Sequence, residues 1–299
     1  MTSPITIRRA ESDADLERWR QVRMAVVPRE RAGTLAEIRN GATSERLLLL
    51  AELDGELAGS GVANRSDLAG QGSLAPRVLP RARRQGVGTA LLRELAAHVE
   101  ALGFDQAGAL VEDPASLPFA ERFGFREVDR DVEQVRTIGD ERWPEITPDV
   151  EVVSLAERPE LFARVYYELA REAFQDFALD RALEVTLEDW EREWRVWPEG
   201  TYVALAGDEI VGFAGLHRDD DRPDRAENSL TAVRRDRRRR GIASLLKRMA
   251  IAWASANGVR EIYTWNQRGN EAMRAVNESL GYVTRSTCIR VRGRLPLPL

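Results

Sequence analysis

Cysteine is nearly absent from this sequence. The 299 residues hold one, Cys288, so no internal disulfide can form and a reducing compartment is expected. Histidine is almost as scarce, with only His98 and His217. That leaves too few ligands for a structural zinc site, and no metal is expected. A Cys–His nucleophile pair would have to draw on Cys288, inside a late strand-like run. Long apolar runs are missing as well. LLLLA at 47–51 falls far short of the ~20 residues of a membrane span. The opening MTSPITIRRAESDADLE reaches acidic residues at once and has no apolar core, so no secretory signal is expected. The expectation is a cytoplasmic protein with no membrane partner.

Hydrophobic residues make up 43% and charged residues 31%, an ordinary globular balance with enough apolar mass for a core. At about 150 residues per domain, the length suggests two domains. Forty-four basic against 49 acidic residues give a net charge of −5, which argues against a chain that coats nucleic acid. The one basic run, Arg234–Arg240, has six arginines and no interleaved aromatic, so no nucleic-acid partner is expected.

The chain repeats itself. RRQGVGTALLRELAAHVEALGF at 83–104 is answered by RRRRGIASLLKRMAIAWASANGV at 237–259. Gly86 and Gly241 are 155 residues apart, as are Gly103 and Gly258. LDGELAGSG at 53–61 answers GDEIVGFAG at 207–215, and FAERFGF at 119–125 answers VNESLGY at 276–282. Blocks in one order at nearly one offset imply a duplicated domain. The polar, proline-containing stretch at 141–149 reads as the linker, leaving domains at 1–140 and 150–299.

Each half begins with a short strand, Ile5–Arg9 or Val150–Ser154, followed by one or two helices. Hairpins are expected at 46–53/57–63 and 201–206/210–216, and a further strand at 226–233. The best helix follows. Ile242, Leu245, Leu246, Met249 and Trp253 recur at helical spacing, and Gly258 sits where a C-terminal cap belongs. A strand at 260–265, a helix at 270–280 and a final strand or pair complete the unit. This is an α/β pattern with a mixed sheet.

Arg-x-x-Gly-x-Gly/Ala opens the long helix in both halves, as Arg83, Gly86, Gly88 and Arg238, Gly241, Ala243. A helix start presents unpaired N–H groups and a positive dipole end, and small residues let a pyrophosphate approach. The Gly-Lys-Ser/Thr of a Walker loop is absent. The order strand, Arg/Gln-x-x-Gly-x-Gly/Ala, helix, strand, Asn, helix, Leu/Phe-Gly-Phe/Tyr resembles the GNAT acetyltransferase superfamily in both halves. The tandem arrangement is similar to the mycothiol synthase kind. The resemblance implies two tandem GNAT-like domains and acetyl-CoA (coenzyme A) as cosubstrate.

Carried over by position, it places the pantetheine arm on the backbone of Thr231, Ala232 and Val233. The pyrophosphate falls to Arg238, Arg239, Arg240, Gly241, Ile242, Ala243 and Ser244, with Asn270 as a further coenzyme contact. Asn270 also reads as an ordinary N-cap of the following helix, and the two roles are compatible. In the first half Arg84, Gln85, Gly86, Val87, Gly88 and Thr89 match the cradle, but EDPAS at 112–116 replaces the asparagine.

An amine nucleophile must lose a proton, since its pKa lies near ~10.4, and a carboxylate can take it. Relatives carry a catalytic glutamate where Glu227 stands. Even spacing would put Glu227, Ser229, Thr231 and Val233 on one face of the strand. The alternative for Glu227 is an exposed strand-end carboxylate. The matching first-half position is Gly72, so the second half is expected to be catalytic and the first silent. Many relatives place a tyrosine acid where this chain has Asn277 and Ala120. Tyr263 and Tyr282 are possible substitutes, and the acid stays unassigned. Phe174, Phe177 and Trp194 fall where the resemblance puts the acceptor cleft. Asp219, Asp220, Asp221 and Asp224 form a loop that is either solvated or attractive to a cationic acceptor. The expected activity is acetyl transfer to a primary amine of a small molecule or peptide, by a monomer or homodimer. The rival is an acyl-CoA-binding sensor or scaffold without turnover.

Overall fold

The computed structural model describes residues 4–146, 149–177, 181–194, 196–219 and 222–298. The chain forms two compact units, Met1–Arg130 with Cys288–Leu299, and Asp131–Thr287. In order, unit 1 holds β1 (Ile5–Arg9), α1 (Asp13–Val26), α2 (Leu35–Asn40), β2 (Leu47–Leu53) and β3 (Glu56–Arg65). It continues with β4 (Gly72–Val78), α3 (Val87–Ala101), β5 (Gln106–Val111), α4 (Leu117–Arg122) and the start of β6 (Arg126–Thr137). Unit 2 holds the rest of β6, β7 (Glu151–Ser154), α5 (Leu161–Val165), α6 (Arg171–Gln175), α7 (Leu187–Glu193), β8 (Tyr202–Ala206) and β9 (Glu209–Arg218). Then come β10 (Arg225–Val233), α8 (Ile242–Ala256), β11 (Glu261–Gln267), α9 (Glu271–Ser279) and the start of β12 (Val283–Arg294).

In unit 1 the order β1-β2-β3-β4-β5 is antiparallel except for the parallel pair β4/β5. Unit 2 repeats this as β7-β8-β9-β10-β11, with β10/β11 parallel. The last strand of each sheet comes from the other repeat. Residues 131–137 of β6 pair with β11, and residues 289–294 of β12 pair with β5. The units therefore divide inside two strands, not at 141–149 as the sequence suggests. The stretch after β6 is tied to unit 2 instead, through Ile138 N–H to Arg260 O and Glu141 N–H to Ser255 Oγ. Polar, proline-containing sequence marks a turn, whereas ladder hydrogen bonds decide which sheet owns a strand.

Local signals account for the helices. Ser12/Asp15 and Thr186/Asp189 form capping boxes at α1 and α7. The long helices α3 and α8 start differently, at left-handed glycines with no side-chain cap. α8 lies against one face of its sheet, where a Cβ on Gly212 would stand 2.7 Å from Ile242 Cγ2. The other face meets α5–α7 through Phe213, Leu230, Ala232 and Trp190.

Candidate active site

β10 and β11 pair only at Arg225–Glu261, Ala226–Ile262 and Glu227–Tyr263, then part. Beyond Glu227 the β11-side edge of β10 has no strand partner among the described residues. Unpaired strand edges are ready hydrogen-bonding surfaces. On its other edge β10 follows β9, with a bulge between Asn228 and Thr231. The bulge corrects the even-spacing expectation, because one extra residue reverses the alternation. Thr231 pairs with Ala214, which packs with α8, and Val233 packs there too. Ala226 and Asn228 also face α8, through Ile251 and Lys247. Glu227 therefore looks to the opposite face, shared with Leu230 and Ala232 rather than with Thr231 and Val233.

The loop into α8 alternates its backbone. Arg239 and Gly241 have φ of 61° and 80°, and Arg84 and Gly86 repeat this at 64° and 91°. A non-glycine residue with positive φ is uncommon. Its recurrence in both repeats marks a shaped concavity of N–H groups, the geometry that binds anions. The first helical amides have no side-chain acceptor in either copy. Space in front of Gly241 is open, with nothing within 4 Å of an added Cβ. In unit 1, Ile5 comes to 3.3 Å at Gly86 and Phe119 to 3.4 Å at Gly88.

The arginines divide by role. Arg238 Nε donates back to Val233 O at 3.0 Å, as Arg83 does to Val78 O at 3.4 Å. Arg238 and Arg235 also hold Asp176, whose carboxyl Arg235 and Arg238 keep below the usual range. Arg234 is taken by Asp236 and Glu209. Arg238 thus braces the loop. Arg239 and Arg240 are exposed and form no ion pair among the described residues.

At the fork itself, Tyr263 Oη donates to Glu227 Oε2 at 3.1 Å. Burial and the Glu227 charge push the Tyr263 phenol well up, so it stays a donor. The Arg225 guanidinium lies 3.8 Å from the Tyr263 ring centroid. Arg225, wholly buried, bonds Glu261 at 2.8 Å and stands 3.5 Å from Glu133. Arg285 joins Glu133 to Glu261. His217 is the register partner of Glu227 on β9. The sequence did not reveal this support, although its signal was present as two charged–polar pairs at i, i+2 on adjacent strands.

Behind Glu227, Asn228 Oδ1 accepts from Lys247 Nζ at 3.0 Å and Tyr282 Oη at 2.6 Å, while its Nδ2 donates to Gly215 O at 3.3 Å. Lys247 is the only lysine in the chain. It is buried with no carboxylate partner among the described residues, and burial lowers its pKa to about 7. Arginine, which stays charged, could not shed its proton there. Tyr282 is buried on this α8 side, away from Glu227, so of the two candidate tyrosines only Tyr263 shares the site face.

Asn270 caps α9, accepting from Met273 N–H at 3.3 Å. Asn277 is wholly buried and donates to Gln134, which also receives Asn266. Phe174 proves to be a core side chain, packed against Trp190 and Trp194. Phe177 and Trp194, half-buried, continue that aromatic cluster beside Leu230 and Ala232. Thr231 Oγ1 is buried without a partner among the described residues. Asp219 lies near buried Arg225, whereas Asp220 and Asp221 fall outside the described residues. No helix among the described residues is long and apolar enough to cross a membrane.

Residues 9–125 and 163–282 match the acetyltransferase (GNAT) family. The chain belongs to that family and is an N-acetyltransferase with two tandem copies of the fold. No curated protein sequence matches it. Among solved structures it is similar to a GCN5-related N-acetyltransferase from Sphaerobacter thermophilus, at 21% identity and TM-score 0.75, covering 98% of this chain and 97% of that one. A tandem GNAT protein from the clavulanic acid biosynthesis pathway is similar at 17% identity and TM-score 0.76, covering 97% and 98%. A glucosamine N-acetyltransferase region of a fungal multi-domain β-N-acetylglucosaminidase matches at 16% identity and TM-score 0.70, covering 98% of this chain and 38% of that one.

Proposed function

We propose that unit 2 moves an acetyl group from acetyl-CoA directly to a primary amine, with Glu227 as the base. The observation that carries this reading is the Glu227 carboxylate at the point where β10 and β11 part, oriented by Tyr263. The open loop at Gly241, with its uncapped amides and Arg239 and Arg240, suits a pyrophosphate. The free edge of β10 at Thr231–Val233 suits the amides of a pantetheine arm. That lays the thioester toward the fork, next to Glu227.

An amine near pKa ~10.4 arrives protonated, and Glu227 removes a proton directly or through water. Backbone N–H near Val233 holds the developing oxyanion. A thiolate of pKa ~8.5 leaves without needing an acid, which suits a chain with buried Asn277 at the tyrosine position. Phe177 and Trp194 border the acceptor, a small molecule or peptide. The reaction belongs in the cytoplasm, where the buried thiol of Cys288 stays reduced.

Thiol release from acetyl-CoA across a panel of amino sugars, aminoglycosides, amino acids and peptides tests the reading. Glu227→Gln should lower kcat by roughly 10²-fold or more. An unchanged pH–rate profile in that variant removes Glu227 from the mechanism. Silence across the panel together with tight coenzyme binding favours an acyl-CoA sensor instead.

A further inference from the structure

The unit 1 face that corresponds to the Glu227 face of unit 2 carries its own polar cluster. Side chains at Gly59 and Gly61 would run into Leu91 and Leu95 of α3. Ser60, between them, therefore points to the other face, and its cross-strand partner Arg77 points with it. The equivalent cross-strand pair of unit 2 is Phe213 and Ala232, both apolar, so the cluster is peculiar to unit 1.

Three polar atoms here are buried without a partner among the described residues: Ser60 Oγ, Arg77 Nη1 and Arg23 Nε from α1. Ser60 is wholly buried. Guanidinium nitrogens only donate and a hydroxyl can donate, so each of the three can serve an added acceptor. Buried polar groups are normally satisfied, and three orphans on one face call for a missing partner.

The charges point the same way. Arg23 pairs with Glu30 at 3.1 Å. Glu30 also shares a hydrogen bond with Glu112, the residue that follows β5. Two carboxyl groups can bond one another only through a proton, so the pair carries one negative charge against two guanidiniums. Donors and positive charge are both in excess.

We propose that unit 1 holds a small oxyanion, the carboxylate of a metabolite or inorganic phosphate, on Arg77 and Ser60, with Arg23 and the Glu30–Glu112 pair behind them. Guanidinium forks match such groups in shape and charge. The site uses no residue of unit 2, so it stands or falls apart from the acetyl-transfer reading.

Titration calorimetry on the full chain, with succinate and with inorganic phosphate at constant ionic strength, tests it. Saturable binding of either probe is expected, and which one binds identifies the source of the oxyanion. Arg77→Met should weaken that binding roughly tenfold or more, as loss of a charge-assisted contact does. Ser60→Ala, a smaller change, should weaken it several-fold and keeps the test available if Arg77→Met fails to fold. The proposal is overturned if neither probe binds saturably. It is equally overturned if the folded variants bind like wild type, as they would if the anion sat on a glycine loop.

Discussion

Tyr263 donates its phenolic hydrogen to Glu227 across the last residue pair that joins β10 to β11. This bond sets the carboxylate where the two strands open. Tyr263→Phe removes the donor and keeps the ring under Arg225. We expect kcat/KM to fall about tenfold, the effect of losing one hydrogen bond to a charged group. A carboxylate that loses a donor holds its proton more tightly, so the acid limb of the pH–rate profile should move to higher pH. A profile that stays in place would show that Tyr263 acts only by packing.

The two glycine loops separate the roles of the repeats. Gly241→Glu puts a carboxylate where a pyrophosphate is expected and should abolish activity, because like charges at such range repel strongly. Gly241 also has φ of 80°, so Gly241→Ala is the control for backbone strain, of order 1 kcal/mol, and should stay active. Gly86→Glu should leave most of the activity. Steady-state rates of the three variants decide the matter, and loss of activity on changing Gly86 alone would move the active site to unit 1.

Lys247 predicts a pH-dependent stability. Its folded pKa is lowered to about 7, while an unfolded lysine titrates near ~10.4. Between these values the unfolded chain binds more protons, so wild-type stability rises with pH across that window. Below pH 7 the cost of the buried charge is fully present. Lys247→Met removes the titration and leaves Asn228 its bond from Tyr282. The variant should therefore exceed wild type in urea midpoint at pH 7, with the gap narrowing toward pH 10. A gap that does not change with pH would contradict this account.

Asn277→Tyr introduces the tyrosine that the family resemblance leads one to expect at that point. Asn277 is wholly buried and bonded to Gln134, so the larger side chain has no room. We expect a loss of roughly 1–3 kcal/mol by overpacking and no gain in rate. Denaturant unfolding beside a kcat measurement checks both. A faster, equally stable variant would show that a general acid is missing from this site.

Much of this was legible in the residues alone. The duplication showed as three blocks at nearly one offset, and the helix after each loop showed as a 3.6-residue apolar period. The glycine caps were readable because few residues other than glycine adopt positive φ, as Gly86, Gly103, Gly241 and Gly258 all do. The expected hairpins fall within a residue or two of β2/β3 and β8/β9, since alternation and turn residues are local signals. Lys247 was also visible in the sequence, as the one lysine of the chain, but nothing nearby in sequence marks it as buried.

By itself the sequence determined the repeat, the elements and the loops, because each depends on neighbours a few positions away. The tertiary structure alone decided three things. It exchanged the final strands between the repeats, since ladder bonds form between residues more than a hundred positions apart. It turned Glu227 away from Thr231 and Val233, because a bulge is defined only against the partner strand. It also set Tyr263 against Glu227 and Lys247 against Asn228, pairings that follow from register and helix packing. Alternation along one strand tells which residues share a face only while its register is unbroken, and at this site the register breaks.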